Sequence, residues 1–150
     1  MKRNAFTMIE LIFVIVILGI LAAVALPKLS ATRDDAKIAV LAQGIMGGAT
    51  EIAQYAVANE GVVPDLTLMS NQYELLVSSG DAQNDAVNSK ITVKLGEVSN
   101  CIVVQVVTNG GTDTLTITKG ATGDSKCDGL QRLIGEKDYP MLLRGINVRL

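Results

Sequence analysis

Glu10 is the one charge in the run FTMIELIFVIVILGILAAVAL, which covers residues 6–26. A carboxylate at mid-depth in hydrocarbon costs something like 3 kcal/mol, and less near the ends of a span, so it calls for a partner. Its own helix offers no opposite charge. A plainer role is open to it, because a carboxylate in the first turns complements the positive end of a helix. If the chain were cut ahead of Phe6, however, a new α-amine would appear one turn away. On a neighbouring subunit that amine could neutralise Glu10 in apolar surroundings.

Few other residue types here support chemistry. The sequence of 150 residues has no His and no Trp. That excludes Ser-His-Asp and Cys-His catalysis and any His-ligated metal. An acid/base pair would need two converging carboxylates, and the scattered Asp and Glu name no such pair. Two cysteines, Cys101 and Cys127, are too few for a four-thiolate zinc site. They can form one disulfide in an oxidising space or remain two buried thiols. Lys and Arg total 13 against 15 Asp and Glu, a net charge of −2, so no overall basic excess points to nucleic acid. No enzyme activity, cofactor or metal is expected.

The elements that must position Glu10 begin with the apolar run itself. Apolar residues make up 49% of the chain and charged residues 19%, and the excess sits at the N-terminus. As a helix the 21-residue run is roughly 31 Å long, which matches a bilayer core of about 30 Å. Pro27 and Lys28 close it. Lys2 and Arg3 before the run are nearly balanced by Lys28, Arg33 and Lys37 after it, so charge alone does not orient it. A secretory signal peptide is the main rival, with residues 11–21 as its apolar core and Ala23-Val24-Ala25 as a small-x-small cleavage pattern. Glu10 puts a negative charge where that pattern wants positive. The rival predicts a mature protein starting at Leu26.

Ala5-Phe6-Thr7-Met8-Ile9-Glu10, followed by the apolar stretch, resembles the N-terminal signature of type IV pilins and type II secretion pseudopilins. The resemblance is tight over residues 2–27. It implies a prepilin leader over residues 1–5, cleavage by prepilin peptidase between Ala5 and Phe6, and N-methylation of Phe6. It implies that Glu10 pairs with the N-terminus of an adjacent subunit during assembly. Gly19 and Pro27 match the glycine and proline that bracket a stretch losing helicity in assembled pili. Each also has a plain reading, a small packing contact for Gly19 and a kink for Pro27. Ala5 stands where Gly is usual, and Met8 where Leu is more usual.

The resemblance further implies an inner-membrane precursor with a cytoplasmic N-terminus. Its partners would be further copies of the chain and other pilin-like subunits in a helical filament, together with an inner-membrane assembly platform. The assembled filament would be periplasmic or at the cell surface. Pilus and secretion or DNA-uptake pseudopilus share one assembly principle, and the pilus is preferred on the expected Cys101–Cys127 bridge, which pilins commonly carry. In another class, the chain is a monomeric tethered or secreted binding module. Major pseudopilins hold calcium in a C-terminal loop, but Asp113, Asp124 and Asp128 lack a ligand ladder of recognisable spacing. They read as ordinary turn residues.

The expected fold is α+β, with one long helix packed on a small antiparallel sheet. Residues 6–26 form its membrane or filament-core half and 27–60 an amphipathic half, leaving 61–150 as a globular head. Ile38, Leu41, Ile45, Ala49, Ile52 and Ala56 keep a helical period to about Asn59, and Gly61 and Pro64 end it. Gly44, Gly47 and Gly48 either bend this helix or admit close packing of a sheet. Residues 69–77 read as a short helix and 78–89 as a loop. Residues 90–95 and 112–119 alternate and 101–108 is a β-branched run, which gives two or three adjacent strands with a turn at Asn109-Gly110-Gly111. Residues 120–126 read as a loop and 130–134 as a turn. A closing strand is expected near Val148. Arg132, Lys137, Arg144 and Arg149 outnumber Glu136 and Asp138 and read as a solvated face.

Overall fold

The computed structural model describes residues 6–134 and 139–144, so Ala5 and the rest of the leader, Glu136 to Asp138, Val148 and Arg149 lie outside the described residues. The chain divides into two compact units, Met1–Ala36 and Lys37–Leu150. A single helix, α1 (Met8–Ala58), contributes residues to both and carries Pro27 in its interior.

In the first unit no described side chain from Phe6 to Leu29 is buried. That follows from the sequence, since the run is apolar all round and has no polar face to separate from an apolar one. Among the described residues the unit supplies nothing for it to pack on. Within α1 lies a window long and apolar enough to cross a membrane.

In the second unit the rest of α1 behaves differently. Ile38, Leu41, Ala42, Ile45, Ala49, Ile52 and Ala56 are buried in one core with the sheet, while Val40 and Val57 stay exposed. A stripe recurring every three or four residues puts all seven on one side of the helix.

The sheet is a five-stranded antiparallel meander in the order β1 (Ala82–Asp85), β2 (Lys90–Leu95), β3 (Val98–Asn109), β4 (Thr112–Lys119) and β5 (Met141–Arg144). Its register aligns Ile91 with Val104 and Val104 with Ile117, so three buried β-branched residues stand side by side across three strands. β3 and β4 are joined by Gly110 and Gly111 at φ 57° and 84°. A two-residue hairpin turn with both central residues in the left-handed region suits glycine at both places.

Three expectations for the head are corrected. Residues 78–89 contain a strand, β1, whose sequence AQND has no strand pattern of its own but pairs with β2 from Ala82↔Val93 to Asp85↔Lys90. Residues 130–134 are not a turn but the end of a helix, α3 (Ser125–Leu133). Asp124 caps it by accepting from the amides of Lys126 and Cys127, and Cys127 and Leu130 are buried. Among the described residues the sheet has five strands rather than two or three, and β5 is the last of these. The short helix lies at α2 (Asn71–Ser78), preceded by a 3₁₀ turn at Leu66–Leu68.

Candidate functional site

At the start of α1, Thr7 and Glu10 satisfy each other. One oxygen of Glu10, Oε2, accepts from the Thr7 amide at 2.8 Å and from Thr7 Oγ1 at 2.7 Å, while the Glu10 amide approaches Thr7 Oγ1 at 3.4 Å. With Met8 as the first helical residue, Thr7 is the cap and Glu10 the third position, the reciprocal arrangement of a capping box. In the isolated chain Glu10 therefore occupies the plainer of its two sequence readings. Around it stand Phe6, Ile9, Phe13 and Val14, which line a shallow, almost wholly apolar concavity. Phe6 is 81% exposed. Sequence reasoning did not single out Thr7, although its T-x-x-E spacing ahead of an apolar run is a legible cap signal.

Gly19 has open space where a Cβ would be, so no packing contact among the described residues explains it. Pro27 lies within α1, which continues on both sides of it.

Cys101 and Cys127 form a disulfide with Cα atoms 5.6 Å apart and both residues fully buried. It joins β3 to α3. Gln131, also buried, secures the same junction, because its Nε2 donates to the carbonyls of Cys101 at 2.9 Å and Ala121 at 3.1 Å. The three aspartates do not share a site. Asp124 caps α3 and Asp128 lies in its first turn. Asp113 is not a turn residue as expected but a fully buried residue of β4. Its carboxylate accepts from Thr108 Oγ1 at 2.6 Å and from Arg144 Nε at 2.9 Å. Arg144 has an exposed side chain, as the solvated-face reading expects, and it also holds this buried charge, while its Nη1 donates to the Glu60 carbonyl at 3.0 Å, just past the end of α1. Among the described residues no group of three or more His, Cys, Asp or Glu is placed to hold a metal ion.

Among the described residues three titrating groups of the head are shifted by their surroundings, and at Asp85 the side-chain hydrogen bond from Asn88 holds the carboxyl below its usual value. The side-chain hydrogen bond from Thr67 holds the Asp65 carboxyl below its usual value, against a smaller opposing effect of burial. Burial pushes the Tyr73 phenol well above its ordinary value, with smaller contributions from Tyr139 and Glu51.

Residues 1–26 match the family described as the prokaryotic N-terminal methylation motif. The chain has a prepilin-type N-terminus. A 58-residue stretch is 38% identical to type II secretion system core protein G of Pseudomonas aeruginosa, covering 39% of this chain and 41% of that protein. The chain thus spans about two fifths of the length of the curated relative it matches. No solved structure matches it. With its prepilin-type segment, apolar helix and α+β head, the chain resembles the pilins and pseudopilins.

Proposed function

We propose that the chain is a structural subunit of a type IV pilus-like filament, inserted in the inner membrane as a precursor and assembled through its apolar helix. One observation carries this reading: a single carboxylate, Glu10, sits near the start of an exposed apolar helix that bears a prepilin-type motif. In this reading prepilin peptidase removes residues 1–5 by cutting between Ala5 and Phe6, and Phe6 is then N-methylated. Methylation keeps the amine positive, so the ammonium of one subunit can meet Glu10 of the next.

The capping box shows what that pairing must compete with. Both Thr7 bonds reach the same Glu10 oxygen. Those bonds already have an ionised acceptor, but an ammonium adds a full opposite charge, whose attraction for the carboxylate grows as water is excluded, so a bundle of apolar helices favours the ammonium. Gly19 and Pro27 are the places where the helix yields on packing, since one lacks a side chain and the other lacks an amide donor. Residues 6–26 become the filament core, residues 27–60 the amphipathic half, and residues 61–150 the outer head. Further partners are other pilin-like subunits and an inner-membrane assembly platform. The assembled state is a periplasmic or surface filament.

A second reading, a pseudopilin of a type II secretion system, is supported by the likeness to core protein G. Both readings make the chain a building block and assign it no catalysis.

Substituting Glu10 with Ala, Gln or Leu in the full-length precursor tests the shared core of the two. Filaments, counted by electron microscopy of sheared material, should be lost in all three while the protein stays in the membrane fraction. Normal filaments from all three would leave a membrane-tethered binding module as the better account.

A further inference from the structure

The buried half of α1 contains the three glycines Gly44, Gly47 and Gly48 within five residues. Each weakens a helix relative to alanine, so this is the stretch of the buried half where α1 should most readily open. α2 lies across it. A Cβ at Gly48 would come within 2.5 Å of Tyr73 Cε1, so the phenol ring occupies the place of a side chain. A Cβ at Gly47 would meet Gln72 Cγ at 3.5 Å, and one at Gly44 would meet the Leu76 methyls at 3.5 Å. α2 thus faces each of the three weak positions with its own residues.

Polar contacts fall on the same stretch. The Tyr73 hydroxyl donates to the carbonyl of Ile45 at 2.9 Å in a buried setting. That carbonyl is the helical acceptor for Ala49, four residues on. One turn further along α1, Glu51 Oε2 accepts from Ser70 Oγ at 2.7 Å and from the Gln72 amide at 3.1 Å. Ser70 in turn caps α2 by accepting from the Tyr73 amide at 3.1 Å. Glu51 is therefore an α1 side chain that completes the N-terminus of α2, while Tyr73 returns a bond to the backbone of α1.

We propose that α2 acts as a splint, holding α1 helical through its glycine-rich stretch by placing Tyr73 on Gly48 and Ile45 and by engaging Glu51. This goes beyond the filament reading and holds whether or not the chain assembles. The splint makes Gly44 and Gly47 dispensable, because alanine at either would meet α2 only at ordinary contact distance. Gly48 is not dispensable, because its missing side chain is the seat of the Tyr73 ring.

Hydrogen exchange followed by mass spectrometry, on the full chain in detergent micelles, tests this. Tyr73→Phe keeps the ring and removes the bond to Ile45. Exchange of amides in residues 45–52 should rise about five- to tenfold, the scale of one buried hydrogen bond, while those of β3 and β4 stay unchanged. Glu51→Gln should raise the same segment by a smaller factor. Adding Gly44→Ala and Gly47→Ala to Tyr73→Phe should restore protection, because the helix then needs less support. An equal rise across α1, β3 and β4 would mean that Tyr73 merely stabilises the head as a whole and would overturn the splint. Failure of the two alanines to restore protection would overturn it as well. So would an unchanged 45–52 segment in both single variants.

Discussion

The two parts of α1 are one helix under opposite conditions. From Phe6 to Leu29 every described side chain is exposed, and nearly all are apolar. From Ile38 to Ala56 most apolar residues keep to one stripe, buried in one core with the sheet, α2 and α3, and Val40 lies off it, exposed. The second part has its partner within the chain. The first has none among the described residues of its own unit, and a contiguous apolar surface of this extent marks a membrane or a partner. Its polar groups follow the same contrast. Glu10 is met by its close neighbour Thr7, whereas Asp113 is met from 31 residues away.

The comparison breaks first if the head cannot be unfolded separately from the apolar part. The largest expected effect is at the disulfide. Replacing Cys101 and Cys127 with Ser should lower head stability by about 3.5 kcal/mol, the chain-entropy value for closing their loop. Thermal melting followed by circular dichroism would read this, and carbonate extraction should still leave the protein in the membrane. Release from the membrane would show that the two parts are not independent. Next, Arg144→Met leaves the Asp113 carboxylate buried without its cation, at a cost of about 3 kcal/mol. Double replacement with Asp113→Leu should recover part of that loss.

The long-range pair also shows where the sequence stops being legible. The bounds of β2 and β4 follow from alternation alone, at Lys90–Leu95 and Thr112–Lys119. α1 follows from its apolar period, and the Gly110-Gly111 turn follows from its composition. β1 is invisible because its AQND sequence is strand only through its pairing with β2. α3 is masked by Gly129, although Asp124 as cap with Cys127, Leu130 and Ile134 in helical spacing was there to be read. Asp113 looks like a turn residue because it follows Gly110-Gly111-Thr112, and Arg144 looks like surface charge. Nothing local to either residue announces the other. At the N-terminus the acid and the apolar run are legible because their chemistry is local, and the cap threonine is legible too, although it was passed over.

The smallest effect sharpens the contrast by pH. The Tyr73 pKa is raised in the folded head, chiefly by burial. Its stabilising contribution is therefore complete below the unfolded value of about 10 and is lost as pH rises toward the folded one. Head stability measured by denaturant titration should fall above pH about 10, and it should fall less steeply in Tyr73→Phe. The helix signal of a peptide covering residues 6–29 in micelles, which contains no tyrosine, should not change over the same range. Equal slopes for the wild-type head and Tyr73→Phe would contradict the assignment.

The filament account depends most on the charge that faces Glu10, and that charge exists only if the chain is cut before Phe6. N-terminal mass analysis of the protein from sheared filaments tests this directly. The account predicts a chain beginning at Phe6 and carrying one methyl group on its amine. A polymerised chain that still carries Met1, or one beginning at Leu26, would contradict it.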